Sequence, residues 1–138
     1  MKTINNVIIV AFISILTFAC NSDDDITDGT IGDNQAKIIG AWRYASGTTN
    51  GVADTLDDCE LMDTVTFTSS QVTFTYFEGV DCADTGSETI SYTISDNTIT
   101  ITFDGESYTS EIITLNNTTL TLKDTEDDEV YTDTYIKI

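Results

Sequence analysis

Histidine and proline are both absent from this 138-residue chain, and lysine and arginine together number five against 24 acidic residues. Without histidine there is no Ser-His or Cys-His pair, and both the usual zinc ligand and the commonest general base are missing. A formal charge of −19 repels nucleic acid and anionic headgroups alike, so neither is a partner. The eight glycines form no phosphate-cradling loop. Close carboxylates such as Asp57-Asp58, Glu78 and Asp81 are inevitable among so many acids, and they sit in loops, where charge is ordinarily solvated. The acidic run Asp124–Glu129 lacks the spaced ligands and central glycine of a calcium loop and reads as a charged hairpin tip. No catalytic residues, cofactor or metal are expected, and the chain reads as a binding or structural protein, not an enzyme.

No apolar run is long enough to cross a membrane. The longest uncharged one, Val7–Ala19, has 13 residues and follows Lys2. A spanning helix needs about 20 residues, whereas the core of a secretory signal needs about 7–15. Residues 1–19 are therefore expected to be a cleaved signal peptide. Leu16-Thr17-Phe18-Ala19-Cys20 resembles a bacterial lipobox, which implies that Cys20 carries the acyl anchor (palmitate or a similar chain) and becomes the first residue. Cleavage there leaves 138 − 19 = 119 residues and removes Lys2, so four bases face 24 acids and the charge becomes −20. Residues 20–36, with five aspartates and only Ile26 and Ile31 as larger aliphatics, cannot offset their chain entropy by burial and read as an acidic tether. Ser22-Asp23-Asp24-Asp25 resembles the acidic signal that sends some lipoproteins to the outer face of the outer membrane, which implies a cell-envelope location. A plain spacer holding the domain off the membrane is the other reading of the same four residues.

Cysteine is also scarce. Three residues leave one thiol over in an oxidising compartment, and acylation of Cys20 removes it. Cys59 and Cys82 then remain as a pair. With Ser69-Ser70 as a hairpin turn, Cys59 faces Val80 and Cys82 lies two residues further on the same face, so a structural disulfide is expected.

What the chain has in abundance is threonine, 26 residues, in strict alternation with Val, Ile, Phe and Tyr. "TVTFT", "QVTFTY", "ETISYTI" and "TITITF" are the pattern of half-buried antiparallel strands. Eight are expected, at 42–48, 59–68, 71–78, 88–95, 98–103, 106–115, 118–123 and 130–138. Most are joined by short turns at Ser69-Ser70, Asp96-Asn97, Asp104-Gly105 and Asn116-Asn117. A two-residue turn at Asp96-Asn97 sets Ile94 against Ile99, Tyr92 against Ile101 and Ile90 against Phe103, and a turn at Asp104-Gly105 sets Ile101 against Tyr108. These side chains then share one face, which a one-residue slip would destroy. In the sixth strand Tyr108 and Ile112 have one parity and Ile113 and Leu115 the other. Both sets can face inward only if the strand carries a bulge near Ile112-Ile113. Sequential hairpins with one apolar face make a closed meander in preference to a Greek key.

Lys37-Ile38-Ile39-Gly40-Ala41-Trp42 opens the first strand with Gly-x-Trp. Together with the strand count and order, this resembles the small lipocalin-like domains of bacterial lipoproteins. The resemblance implies an all-β, eight-stranded, antiparallel up-and-down barrel over 37–138, its closed end plugged by Trp42. Lipocalins usually set an arginine of the last strand against that tryptophan; here Lys137 is the nearest substitute. It also implies a calyx for a small apolar ligand, with Trp42, Phe67, Phe74, Tyr76, Tyr92, Ile101, Phe103 and Tyr108 as its wall. Val65, Val72, Ile90, Ile94, Ile99 and Ile112 share the inward parity, as does Tyr44. The acidic rim favours a neutral or cationic headgroup over an anionic one. A solid barrel that displays loops to an envelope protein or glycan is the alternative, since eight strands can enclose either a packed core or one small ligand.

Lipidation has a direct test. Cys20→Ser should give a precursor that takes up no labelled palmitate; uptake by that variant would place the anchor on another residue.

Overall fold

The computed structural model describes residues 31–138, with side chains from residue 33. Cys20, the expected signal peptide and the first part of the expected tether lie outside the described residues. A helix, α1 (Ile31–Ile38), leads into β1 (Gly40–Thr49). After it come β2 (Val52–Ala53), β3 (Thr64–Phe67), β4 (Gln71–Glu78), β5 (Asp84–Ser95), β6 (Thr98–Phe103), β7 (Glu106–Leu115), β8 (Thr119–Glu126) and β9 (Glu129–Lys137). Every neighbouring pair is antiparallel, and β9 pairs back onto β1 from Trp42↔Lys137 to Thr49↔Tyr131. That last ladder closes β1 and β3–β9 into an eight-stranded up-and-down barrel; β2 is a short hairpin return on the end of β1. Closure leaves no long sheet edge to be templated by another chain.

The expected registers hold where alternation is strict. Ile94 faces Ile99, Tyr92 faces Ile101, and Ile101 faces Tyr108. Asn50-Gly51, Asp104-Gly105 and Asp127-Asp128 take positive φ at both central positions, the hairpin geometry whose twist matches that of the strands. Asp127-Asp128 confirms the acidic run as a hairpin tip, and among the described residues no His, Cys, Asp and Glu cluster could hold a metal ion.

The sixth expected strand does carry a bulge, but it selects one isoleucine. The turn falls one residue later than expected, with the Asn116 N–H bonded to the Thr119 carbonyl at 3.0 Å and the Asn116 side chain accepting from the N–H groups of Thr118 and Thr119. Leu115 then faces Leu120, the register shifts between Ile112 and Thr114, and Ile112 faces Leu122. Ile112 is buried, whereas Ile113 is the extra residue and lies 50% exposed, so it does not point inward.

Three boundaries also differ from expectation. The segment 59–68 is strand only from Thr64; before it, Glu60–Met62 form a 3-10 turn whose entry is held by the Asp57 carboxylate, accepting from the N–H groups of Cys59 and Glu60. β5 starts at Asp84, not Glu88, because the full length of β4 pairs with it as far as Glu78↔Asp84, a tertiary pairing that overrides the weak alternation of "DTGS". Finally, the domain begins within the segment read as tether. α1 docks on two turns: Asn34 Nδ2 donates to the Asp96 carbonyl and Asn97 Oδ1, and Gln35 Nε2 donates to the Ser69 carbonyl and the Tyr92 hydroxyl.

Cys59 and Cys82 are bonded, with Cα atoms 5.2 Å apart. Neither lies in a strand. The bridge ties the 3-10 turn before β3 to the loop between β4 and β5 at the open end of the barrel.

Two stability measurements check this arrangement. Ile112→Thr should cost at least about 2 kcal/mol by opening a hole and burying a hydroxyl. Ile113→Thr should stay within about 0.5 kcal/mol, as exposed substitutions do. Equal costs in urea unfolding would mean that the bulge is misplaced. Replacing both Cys59 and Cys82 by alanine should lower stability by about 3 kcal/mol in the loop-entropy model, and non-reducing peptide mapping should recover the pair as one linked fragment.

Candidate functional site

The interior divides into a packed floor and an open upper half. Ile38, Trp42, Val65, Phe67, Val72, Tyr92, Ile99, Ile112 and Leu120 form the buried core around the closed end. Trp42 is wholly buried; its Nε1–H donates to the Ile38 carbonyl at 2.8 Å, and the Lys137 ammonium sits 4.8 Å from the ring centroid. The lysine therefore does occupy the place expected for it. The Tyr92 ring meets Phe67 edge-on, and its hydroxyl donates to the Thr68 carbonyl at 2.6 Å. Trp42 and Tyr92 are thus floor residues with their polar atoms satisfied by protein.

Above the floor lies a cavity of about 640 Å³, within the roughly 300–1,000 Å³ typical of small-molecule sites. Its apolar surface comes from Val65, Phe67, Phe74, Ile99, Ile101 and Leu122. A solid barrel would leave no void larger than a water, so the interior is not solid throughout. Of the eight residues expected as the ligand wall, Phe67, Phe74, Ile101 and Tyr108 line this cavity. Tyr76 borders a second hollow of about 190 Å³ that shares Val65, Phe74, Asp133 and Tyr135 with the first. Phe103 lines neither and is 42% exposed. The reason is the β5–β6 ladder, which extends from the turn only as far as Tyr92↔Ile101, so the expected Ile90–Phe103 pair does not form. Tyr108 is half exposed at the rim, with its hydroxyl on Glu106.

Sequence reasoning missed the opposite wall. β8 climbs from Leu120 in the floor through Leu122 to Asp124 and Glu126, and β9 descends through Tyr131, Asp133 and Tyr135 to Lys137. Their pairing sets Leu122 against Asp133 and Asp124 against Tyr131, and all but Leu120 and Lys137 face the cavity. Burial raises the pKa of both Asp124 and Asp133, the largest cause in each case, while the nearby Ser110 hydroxyl and the hydrogen bond from Tyr44 respectively pull the other way. The negative charge of Asp124 raises Asp133 further. The Tyr44 hydroxyl donates to Asp133 Oδ1 at 3.1 Å, and its ring packs on that of Tyr135 with centroids 5.4 Å apart. Gly47 makes room for this contact: a Cβ there would stand 2.2 Å from the Tyr44 hydroxyl and 2.7 Å from an Asp54 carboxylate oxygen. Burial, and then the neighbouring carboxylates, hold both Tyr44 and Tyr135 in their neutral forms well beyond the ordinary tyrosine range. A signal for this wall was present in the sequence. Once Lys137 is placed beside Trp42, period-two alternation carries Tyr135, Asp133 and Tyr131 to the same inner face.

The comparisons agree with this architecture. Among curated proteins no sequence matches. A lipocalin-like protein from Bacteroides uniformis superposes with a TM-score of 0.58 at 11% identity, over 74% of this chain and 99% of that one. An uncharacterized protein from Bacteroides eggerthii gives 0.55 at 12% identity, over 73% and 99%. At such identities the likeness shows the fold alone. The model of the lipocalin-like domain matches residues 38–122, more than half the chain, from the residue that accepts the Trp42 hydrogen bond to the Leu122 of the cavity wall. This chain belongs to the lipocalin-like domain family.

Proposed function

We propose that this protein is a cell-envelope lipoprotein, anchored in the outer membrane through an acyl chain on Cys20, whose barrel takes up a small apolar ligand. The observation that carries the binding reading is the cavity of about 640 Å³, open at the top, whose inner surface above the packed floor is formed by Val65, Phe67, Phe74, Ile99, Ile101 and Leu122. Removing apolar ligand surface from water there is favourable at roughly 25 cal/mol per Å², and the wall is already formed, so little ordering has to accompany binding. The disulfide supports the same reading by tying together two loops at the open end. The anchor rests on the apolar run that ends at Ala19-Cys20 and the acidic segment after it. A binding role, with no chemistry performed on the ligand, fits a cavity whose lining offers carboxylates and hydroxyls but no histidine or cysteine. The scaffold alternative would use the loops and leave the cavity without a purpose.

The test uses residues 20–138 carrying Cys20→Ser, so that no acyl chain competes for the cavity. N-phenyl-1-naphthylamine, whose emission rises on leaving water, should bind saturably with one site per chain. Ile101→Trp places a larger side chain in the lining and should abolish that binding, whereas Ile113→Trp on the outer surface should not. Absent saturation, or equal binding by both variants, would defeat the calyx reading.

A further inference from the structure

The geometry points to a ligand with a single protonated amine on an apolar body, its ammonium held between Asp124 and Asp133 beside the Tyr135 hydroxyl while its hydrocarbon lies against Ile99, Ile101 and Phe74. This deepens the proposed apolar-ligand reading and rests on it.

Three independent features of the cavity carry the assignment. First, Asp124 and Asp133 stand inside a largely apolar hollow, with the exposed Glu126 further out on the same wall, placed there by strand parity and not by loop geometry. Second, none of the four basic side chains among the described residues shares that hollow. Lys37 pairs with Asp33, Lys123 pairs with Glu111 on the outside, Lys137 covers Trp42 at the closed end, and Arg43 is exposed on the outer face. The two half-buried charges therefore have no counter-charge within the hollow, where partial loss of hydration makes a cationic partner more favourable than it would be in open water. Third, the Tyr135 hydroxyl opens onto the same space and has no hydrogen-bond partner among the described residues, although its ring is packed against Tyr44. An ammonium group has three donors and no acceptor, which matches two carboxylates and one phenolic oxygen. The rings of Tyr131 and Tyr135 on the same wall are of the kind that attract organic cations. A bare divalent cation fits less well, because among the described residues no three acidic side chains converge closely enough to ligate one.

The raised pKa values of Asp124 and Asp133 point the same way. A carboxyl whose folded pKa lies above its unfolded value costs the fold stability at neutral pH. Replacing it with the neutral amide should thus hold or raise the melting temperature, unlike the loss of a structural residue.

The experiment is calorimetric titration of the same Cys20→Ser chain with decylamine, decanol and decanoate, each below its micelle concentration, at neutral pH and physiological salt. Decylamine should bind at least about tenfold more tightly than decanol, the difference expected of a charge-assisted hydrogen bond, and decanoate should bind most weakly. Asp133→Asn and Asp124→Asn should each remove most of the amine preference while the melting temperature holds or rises, which shows that the barrel is intact. Asp127→Asn at the exposed hairpin tip should change nothing, so an equal loss there would mean general attraction to an acidic surface and overturn the assignment. Decanol binding as tightly as decylamine would overturn it while leaving the apolar-ligand reading standing. Binding of none of the three would overturn both. A lower melting temperature in the two variants would show that the carboxylates are structural, and would equally overturn it.

Discussion

The indole of Trp42 holds the closed end of the barrel from three directions. Its ring fills the space between β1 and the strands around it, its N–H bonds the last carbonyl of α1, and Lys137 from the last strand lies over its face. The first and last strands and the helix before them are thereby fixed to one side chain. The same lysine donates to the Ile39 carbonyl at 3.1 Å, just beyond the end of the helix. Barrel closure between β1 and β9 begins at this point, with the pair Trp42↔Lys137. A cation over an indole contributes modestly when exposed and more when desolvated, and here the ring is entirely withdrawn from water. A primary ammonium does here what a guanidinium does in many lipocalins.

From that floor the barrel changes character along its axis without changing its backbone. The inner positions of β3, β4 and β6 stay aliphatic or aromatic nearly to the top. Those of β8 and β9 pass from leucine and tyrosine to aspartate within one or two inward positions. A core of interlocking side chains becomes a hollow at that level because carboxylates and tyrosine hydroxyls do not close over one another as methyl groups do. Each needs water or a partner, and the space above the floor stays open to supply it. The wall thus resists burial by the protein's own side chains. Substitution at binding positions commonly raises stability for this reason, since the geometry that receives a ligand is rarely the most stable packing of the empty fold.

The ring of short turns at the closed end has a complementary role. α1 bonds the turns after β3 and after β5 through Asn34 and Gln35, and the Tyr92 hydroxyl joins the same network. Polar atoms at the bottom are satisfied by the protein, so no opening forms there. At the other end the loops are acidic and cross-linked once, by Cys59–Cys82. Closed below and open above, the cavity has one direction of approach.

Much of this was written in the local sequence. Strict alternation of threonine with apolar residues determined strand identity, hairpin order and the registers around Asp96-Asn97 and Asp104-Gly105, because a one-residue slip would have turned every apolar side chain outward. The parity conflict between Ile112 and Ile113 announced a bulge, and Gly-x-Trp announced the closed end. The pairing of Cys59 with Cys82 followed from cysteine number and from a hairpin register that the real ladder only partly extends. Other features depended on contacts distant in the chain. α1 lies in a polar segment whose intrinsic helicity is weak; it forms where Ile38, Asn34 and Gln35 meet the barrel floor. Phe103 follows the inward alternation of β6 but is left exposed because β5 parts from β6 beyond Tyr92↔Ile101. Asp124 reads as one more acid in a solvated run, and Asp133 as a polar interruption in the last strand. Their place inside the barrel depends on β9 closing onto β1, a pairing some 90 residues apart in sequence. Local alternation decides which side chains share a face, but only closure of the sheet decides that this face surrounds a cavity and that two carboxylates stand within it.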